Sequence, residues 1–219
     1  MSVDVAGLAD IVAGPLALRV YLRHCYLPAD GAPPDPLRVN AAVASRWRTD
    51  DGTLYTAEDH VTVWAELCRY HPDAISAADP TGGVGLTAGN IGHYAPQILG
   101  GAVPTRALFS VALALDAVAD LTQAHAREIL TACGVEDPAA DLLADDYGSC
   151  PHIAQAGRDL GWQAVRAPSA ARVGGIVLAV FHDAWPPRSR FELVAQAARP
   201  TVADAYVTRY KTGKRPAWL

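Results

Sequence analysis

The feature that most constrains the fold is an alternating apolar segment in the middle of the chain. Four large apolar residues alternate there with smaller ones: Phe109, Val111, Leu113 and Leu115. Successive side chains of a strand point to opposite faces, so this period of two predicts a half-buried β-strand. Weaker strand patterns occur at three further places, residues 16–21, 163–166 and 176–181. A sheet is therefore expected to run through most of the chain.

Two helices are predicted between these strands. Residues 123–133 are followed by Gly134, and residues 152–160 are followed by Gly161. Glycine is the residue that most often ends a helix, because it adopts the left-handed conformation without strain. Asp120, at the end of the alternating strand, is expected to cap the first of these helices.

A hairpin and a helix are predicted in the first third of the chain. Residues 47–48 and 53–56 flank Asp50-Asp51-Gly52, a turn sequence, which predicts a hairpin. Thr56-Ala57-Glu58-Asp59 then fits a capping box before a helix. The expected buried stripe of that helix has the spacing i, i+3, i+4, i+7 and consists of Val61, Trp64, Ala65 and Cys68. Glu66 lies off this stripe, so it is expected either in solvent or facing a cleft.

The remaining segments predict loops around a single domain spanning residues 1–219. Residues 29–36 are rich in Pro and Gly and predict a loop. The glycine-rich segment 80–101 is too long for a simple connection, which favours a lid or binding loop. Residues 206–219 are basic and polar, as expected of a tail or a short docking segment.

Composition excludes several classes of protein. Hydrophobic residues make up 51% of the chain and charged residues 19%, which predicts a globular protein. The net charge of -5 argues against broad binding of nucleic acid or anionic membranes. We find no apolar run long enough to span a membrane and no signal peptide. The four cysteines and seven histidines lack metal-ligand spacing, so we expect no metal site and a cytoplasmic protein with reduced thiols.

Three arginines are candidates for binding an anion. Arg46 precedes Trp47 on the predicted hairpin, and its planar guanidinium suits a phosphate or pyrophosphate group. The alternative is a surface arginine whose stem packs on an aromatic ring. Arg48 competes for the same role. Arg19, on the first predicted strand, is a second candidate, and two arginines would suit the two phosphates of a dinucleotide.

Tyr55, Glu66 and Ser169 are the other candidate site residues. Tyr55 is either a half-buried strand tyrosine or an aromatic wall for a flat ring. Glu66 is either a solvated helix residue or a carboxylate that stabilises an oxocarbenium-like transition state. Ser169 is either a turn serine or a hydrogen-bond donor. Ala167 and Ala171 replace the glycines of a nucleophile elbow, so a hydrolase triad is poorly supported.

Several of these residues occur together in a pattern that resembles the RES domain, the toxin half of a bacterial toxin–antitoxin family that consumes NAD. Tyr55 follows Arg46-Trp47, and Glu66 follows Tyr55 by eleven positions. Further similar segments are Arg19, Leu54-Tyr55-Thr56-Ala57, Asp120-Leu121-Thr122, Gly161-Trp162 and Pro168-Ser169. The resemblance covers about residues 15–182. It departs from the family pattern at Ala44-Ser45, where glycines are usual, and at Arg48, where Asn is common.

The resemblance implies an α+β fold similar to that of ADP-ribosyltransferases, with a split, mostly antiparallel sheet and helices around an NAD cleft. It implies Glu66, Arg46 and Tyr55 as catalytic residues and Arg19 and Ser169 as substrate-binding residues. Arg48, which departs from the family pattern, stays a substrate-binding candidate because of its position beside Trp47. NAD would be a substrate rather than a cofactor. The implied partner is an Xre-like antitoxin protein that holds the toxin inactive.

Three functions therefore compete. The first is a toxin that cleaves the nicotinamide–ribose bond of NAD, with water or phosphate as acceptor. The second is an ADP-ribosyltransferase that modifies a macromolecule. The third is a non-catalytic binding module of the same fold. The first two require Arg46, Tyr55 and Glu66 to line one cleft, whereas the third is favoured if Glu66 points into bulk water.

Overall fold

The computed structural model describes residues 3–26, 39, 45–68, 106–144, 146–181 and 190–195. Within these ranges a short 3-10 helix at Gly7–Asp10 precedes the sheet. The strands are β1 Gly14–Tyr26, β2 Thr53–Ala57, β3 Arg106–Asp120, β4 Ala164–Pro168, β5 Ile176–Phe181 and β6 Arg190–Ala195. The helices are α1 His60–Cys68, α2 Ala124–Ala132, α3 Pro138–Asp141 and α4 Cys150–Asp159. None of the helices in this part of the chain is long and apolar enough to cross a bilayer.

Five of the six strands form a closed ring. The sheet order is β1-β2-β5-β4-β3-β6, and β1 also pairs with β3. Following the pairings from β1 through β2, β5, β4 and β3 therefore returns to β1, with β6 added on the outer edge of β3. The pairing between β1 and β2 is short, with Leu22 and Ala57 as register partners, whereas β1 and β3 pair along most of their length.

The ring is mostly antiparallel, and its one parallel pair is β3 with β4. The segment between these two strands carries α2, α3 and α4, since a parallel pair needs a long crossover. The predicted α+β class and the mostly antiparallel sheet are thus confirmed. The finer prediction of an ADP-ribosyltransferase-like split, the single-domain boundaries and the cytoplasmic location stay predictions.

Two hydrophobic clusters occupy the two sides of the strands. One consists of strand residues, including Leu54, Leu113 and Leu178, and fills the interior of the ring. The other lies outside the ring and joins strand residues such as Ala179 to the helices through Val63 of α1 and Ile153 of α4, among others. Alternate residues of β5 enter alternate clusters, as the period of a strand requires. The outer, helix-covered side is where α1 brings Glu66.

Several local predictions are confirmed. All four alternating residues, Phe109, Val111, Leu113 and Leu115, are buried on β3. The strand predicted at 176–181 coincides with β5. Gly134 and Gly161, the glycines predicted to end two helices, have positive φ angles of 93° and 92°. The loop 29–36, the glycine-rich segment 80–101 and the tail 206–219 lie outside the described residues.

Other local predictions are wrong. Residues 46–48 form a turn rather than a strand, and β2 pairs with β1 and β5, so the hairpin does not form. Thr56 does not cap α1, because its hydroxyl donates to the Leu178 carbonyl within the sheet, 3.0 Å away. Asp59 caps the helix instead. Of the predicted stripe of α1, Ala65 is buried as expected but Val61 is only half-buried, while Thr62 and Val63, which lie off the stripe, are buried. Asp120 does not cap α2, whose N-cap residue Gln123 makes no side-chain cap bond.

Candidate functional site

Glu66 and Ser169 are in direct contact although 103 residues separate them in the chain. The Ser169 hydroxyl donates to Oε1 of Glu66 over 2.6 Å. The same hydroxyl oxygen accepts a hydrogen bond from the Ala171 amide at 3.2 Å. A serine hydroxyl has one proton to donate, and here that proton is directed at the carboxylate. Ser169 is buried and Glu66 half-buried, so the pair lies at the edge of the outer core.

A short loop between β4 and β5 places Ser169 under α1. This loop, residues 169–175, is called the clamp loop below. The Ser169 amide donates to the Gly175 carbonyl at 2.8 Å, and the Gly175 amide donates to the Arg172 carbonyl at 3.1 Å. Gly174 has a φ of 74°, which favours glycine at this turn. These bonds make the loop a compact unit that returns the chain directly into β5.

The clamp loop also holds the first turn of α1. Arg172 donates from Nη1 to Oδ2 of Asp59 at 2.8 Å and to the Thr62 hydroxyl at 2.9 Å. Asp59 in turn accepts from the amide and the hydroxyl of Thr62. Burial on its own raises the pKa of Asp59, but the two bonds from Thr62 and the charge of Arg172 outweigh it, so the pKa is lowered. Asp59 is therefore a charged cap that is tied to the loop.

Gly175 allows α1 and the clamp loop to touch. A Cβ atom at this position would lie 2.7 Å from the Thr62 hydroxyl oxygen and 3.1 Å from Cβ of Ser169. Any larger residue would therefore push α1 away from Ser169. The close approach depends on the absence of a side chain rather than on a special backbone angle.

The charge of Glu66 is not compensated by a cation within the described residues. Its one side-chain partner there is the neutral Ser169 hydroxyl, and no arginine, lysine or histidine of the described ranges forms an ion pair with it. Arg172, the nearest cation of the clamp loop, is bound to Asp59 instead. The site thus holds a negative charge that can interact with a positive charge on a ligand.

Arg46 is buried and bound to the helical region between α3 and α4. Its Nη1 donates to the Leu142 carbonyl at 2.9 Å and lies 3.8 Å from the Cys150 sulfur, while Nη2 donates to the Ala144 carbonyl. Its guanidinium also stacks over the Tyr147 ring, 5.4 Å from the centroid. Burial raises the pKa of the Cys150 thiol to about 11, although the charge of Arg46 opposes that rise.

Tyr55 is linked to Arg46 through the backbone. The Tyr55 hydroxyl accepts a hydrogen bond from the amide of Trp47, the residue next to Arg46. Trp47 is fully buried in the outer core, and Tyr55 packs against the same core. The turn that carries Arg46 is therefore anchored to β2 by the tyrosine.

The structure thus joins the predicted residues in two pairs. Arg46 is linked to Tyr55 through Trp47, and Glu66 is bonded to Ser169. Trp47, Tyr55 and Val63 of α1 share the outer core, so both pairs lie on the helix-covered side of the strands. Among the described residues no hydrogen bond or ion pair connects one pair to the other. A single cleft lined by all four stays a prediction.

The two other candidate arginines are at the surface. The Arg19 side chain is 54% exposed and forms an ion pair with Glu58 at 3.3 Å. Arg48 is exposed in the turn after Trp47. Their predicted role in binding phosphate stays a prediction.

A second cluster of charges closes one end of the strand ring, and we call it the ring-end cluster. It consists of Arg19, Glu58, Asp120 and Arg166. Arg166 contacts Glu58 at 2.9 Å and Asp120 at 2.8 Å. Desolvation tends to lower the pKa of Arg166, but its bonds to Glu58 and Asp120 outweigh this and raise it. Two positive charges, on β1 and β4, therefore balance two negative charges, one just after β2 and one at the end of β3.

Tyr21 lies beside the ring-end cluster with its ring fully buried. Its hydroxyl has no hydrogen-bond partner among the described residues. Burial, followed by the nearby charge of Glu58, raises the pKa of Tyr21. The tyrosine therefore remains neutral and belongs to the ring interior.

A depression of about 510 Å³ lies between α3 and α4. Its lining includes the acidic residues Glu136, Asp137, Asp141 and Asp146, together with His152 and Ser149. Four carboxylates repel the phosphates of a dinucleotide. Within the described residues no group of three or more His, Cys, Asp or Glu side chains is placed to hold a metal ion.

The sequence patterns missed the residues that hold the site together. Glu58 and Asp59 fit the predicted capping box, and no pattern marks Arg172. Arg166 stands between the apolar residues Val165 and Ala167 on a predicted strand, an alternation that is typical of a solvent-facing side chain. Its ion pairs with Glu58 and Asp120 therefore have no local signal in the sequence.

Comparison with known proteins identifies a fold but not a family. No family model matches the sequence, and no curated protein matches it. The fold is similar to that of a chain in the solved M. tuberculosis MbcT–MbcA toxin–antitoxin complex, with a TM-score of 0.58 and 22% sequence identity. The similarity covers 86% of this chain and 88% of that chain.

Proposed function

We propose that this protein is the toxin of a bacterial toxin–antitoxin system and that it cleaves the nicotinamide–ribose bond of NAD. The observation that carries the proposal is the orientation of the Glu66 carboxylate by the buried Ser169 hydroxyl. No cation among the described residues forms an ion pair with this carboxylate. The shared fold with a chain of a toxin–antitoxin complex supports the same assignment.

The chemistry requires a carboxylate of this kind. When the bond between the ribose C1′ and the nicotinamide nitrogen breaks, its electron pair leaves with the nitrogen, and nicotinamide departs as a neutral molecule. Positive charge develops on the ribose, which becomes oxocarbenium-like. In this proposal Glu66 stabilises that charge, because no cation of the described residues compensates its own charge. Water or inorganic phosphate then bonds to C1′, and the proton of an attacking water is released to solvent.

The remaining site residues have supporting roles in this proposal. Ser169 fixes one oxygen of Glu66, which leaves the other oxygen for the ribose. Tyr55 offers an aromatic surface for nicotinamide. Arg46, with Arg48 or Arg19, is the proposed contact for the phosphates, although the carbonyl oxygens that Arg46 contacts already use part of its donor capacity.

The proposed partner is an antitoxin that blocks the site. The similar chain belongs to a toxin–antitoxin complex, and the RES resemblance implies an Xre-like antitoxin. Expression of this chain alone is expected to slow bacterial growth and lower cellular NAD. Co-expression of a small neighbouring antitoxin is expected to restore both.

The deciding experiment is incubation of the purified protein with NAD, with and without inorganic phosphate, followed by identification of the products. Nicotinamide with ADP-ribose indicates water as acceptor, and nicotinamide with phosphorylated ADP-ribose indicates phosphate. ADP-ribose attached to a protein or nucleic acid in a lysate would point to the transferase instead. Well-folded protein that leaves NAD intact under all these conditions would overturn the proposal.

A further inference from the structure

The clamp loop forms side-chain contacts with α1 at two places about one helical turn apart. Arg172 binds Asp59 and Thr62 at the start of the helix, and Ser169 binds Glu66 further along. Glu66 follows Thr62 by four positions, so both residues lie on the same side of the helix. One loop of seven residues therefore sets both where the helix begins and where its carboxylate is held.

We infer that Arg172 and Gly175 are positioning residues for Glu66, acting through α1 and the clamp loop. This inference rests on the proposed role of Glu66 in cleaving NAD. Arg172 acts through Asp59 rather than through the substrate, because its Nη1 group is bound to Asp59 and Thr62. Gly175 acts by leaving space for Thr62 and Ser169 to meet.

The loop is rigid enough to transmit the effect. Its internal bonds join Ser169 to Gly175, Gly175 to Arg172, and Ala171 to the Ser169 hydroxyl. Ser169 and Arg172 therefore move together. If Arg172 releases Asp59, the start of α1 is free to shift relative to Ser169, and Glu66 shifts with the helix.

Replacing Arg172 is expected to reduce turnover more than binding. A displacement of about 1 Å at a reacting group can cost about 100-fold in rate. Arg172→Ala should therefore lower kcat for NAD cleavage by roughly 10- to 100-fold and leave KM for NAD within about threefold. Arg172→Lys should recover part of the loss, because an ammonium group can still reach Asp59 but lacks the planar fork.

Gly175→Ala tests the same coupling by adding a single methyl group. The added Cβ would collide with Thr62 and Ser169 and separate α1 from the loop. We expect a loss of kcat similar to that of Arg172→Ala. Gly14→Ala is the matched control, because a Cβ at Gly14 in β1 meets no atom within 4 Å.

The control for Arg172→Ala is Arg158→Ala. Arg158 on α4 also forms an ion pair with an aspartate, Asp51, and its side chain is 21% exposed against 25% for Arg172. Arg158→Ala removes the pairs with Asp51 and Asp159, and Arg172→Ala removes the pair with Asp59, but of the two arginines only Arg172 borders α1. We expect normal kcat in Arg158→Ala even if its thermal stability falls as much as that of Arg172→Ala.

A double-mutant cycle separates positioning from an independent effect. If Arg172 and Ser169 act on the same carboxylate, the variant carrying Ser169→Ala and Arg172→Ala should lose less than the product of the two single losses. Losses that multiply fully would show that Arg172 acts independently of the Ser169–Glu66 contact, and they would overturn the inference.

Amide hydrogen exchange provides a readout that does not depend on NAD. Arg172→Ala should accelerate exchange across α1, residues 60–68, by about tenfold or more relative to Arg158→Ala, because α1 loses one of its two anchors. If the wild type cleaves NAD, an unchanged kcat of Arg172→Ala would overturn the positioning role, and so would unchanged exchange in its α1. Absence of NAD cleavage by the wild type would overturn the proposed function, and the exchange measurement would still decide whether Arg172 positions the helix.

Discussion

Glu58, in the connection from β2 to α1, and Glu66, within α1, lie only eight positions apart, yet their surroundings differ completely. Glu58, in the ring-end cluster, contacts the guanidinium groups of both Arg19 and Arg166. Glu66 has a serine hydroxyl as its one described side-chain partner. Within the described residues, therefore, the charge of Glu58 is compensated and that of Glu66 is not.

The cations near the two glutamates explain this difference. Arg166 lies on β4 among the strand ends, where it bridges Glu58 and Asp120. Arg172, only six positions later, is bound to Asp59 and not to Glu66. Had Arg172 paired with Glu66, both glutamates would be compensated by a cation within the described residues.

The largest expected effect is on the activity of Glu66→Gln. Glutamine keeps an oxygen that can accept the Ser169 hydrogen bond but removes the charge, so folding should be preserved. NAD cleavage should fall by about 100- to 1000-fold, the range found for loss of one electrostatic stabiliser of a transition state. Product formation should be measured beside thermal unfolding, with Glu128→Gln on the exposed face of α2 as control. Normal turnover by Glu66→Gln would remove Glu66 from the mechanism.

The next largest effect should be on the stability of Glu58→Gln. This substitution leaves Arg166, whose side chain is 18% exposed, without its main negative partner. Breaking a fully buried pair costs about 3–5 kcal/mol, so we expect the free energy of unfolding to fall by about 2–3 kcal/mol here. Urea unfolding measures this change. If Glu58→Gln and Glu128→Gln unfold alike, the ring-end cluster does not stabilise the fold.

A smaller effect is expected in acid, and it concerns Asp59 and Asp120. Burial alone raises the pKa of Asp120, but bonds from Thr122 and Gln123 and the charge of Arg166 lower it, and the pKa of Asp59 is lowered similarly. The unfolded chain therefore takes up protons first as the pH falls. The stability that these carboxylates contribute is present above their ordinary pKa of about 3.9 and is lost as the pH falls through the lower folded-state values.

Both carboxylates are partly exposed, so solvent screening limits their combined contribution to about 1 kcal/mol. Urea unfolding at a series of pH values down to about 3 measures it. Asp120→Asn should show a weaker loss of stability in acid than the wild type. An equally steep loss would show that other carboxylates cause the acid sensitivity.

The smallest effect should come from Arg19→Ala. The ion pair of Arg19 with Glu58 is half exposed, and Arg166 still compensates Glu58 after the substitution. The free energy of unfolding should therefore change by less than about 0.5 kcal/mol. Because stability is nearly unaffected, a rise in KM for NAD would report directly on the predicted phosphate contact of Arg19. An unchanged KM would exclude that contact.

The elements that could be predicted from the sequence are those whose pattern of apolar residues lies within one short segment. The alternation from Phe109 to Leu115 and the apolar segment of β5 require only a buried face, and both strands are present. The hairpin prediction failed because β2 pairs with β5, more than 100 residues later, and no local pattern reports such a partner. Thr56 failed as a cap for the same reason, since its hydroxyl is used by Leu178 of β5.

The candidate site was predictable to a similar extent. The RES resemblance singled out Glu66 and Ser169, and these two residues are in contact. The resemblance also singled out Arg46, which is buried against backbone carbonyls rather than exposed on a strand. The contact of Arg172 with Asp59 and the ion pairs of Glu58 could not be predicted from the sequence. They depend on which strands and loops lie side by side in the fold.

The separation of Glu66 from Ser169 has a consequence for protein synthesis. The ribosome makes Glu66 early, and the serine that orients it emerges 103 residues later. At about 5–20 residues per second, the interval is roughly 5–20 s. Until β4, the clamp loop and β5 have been made, the strand ring cannot close. The Glu66 carboxylate therefore waits for its hydrogen-bond donor until the clamp loop has been made, and it can be oriented only after the strand ring begins to close.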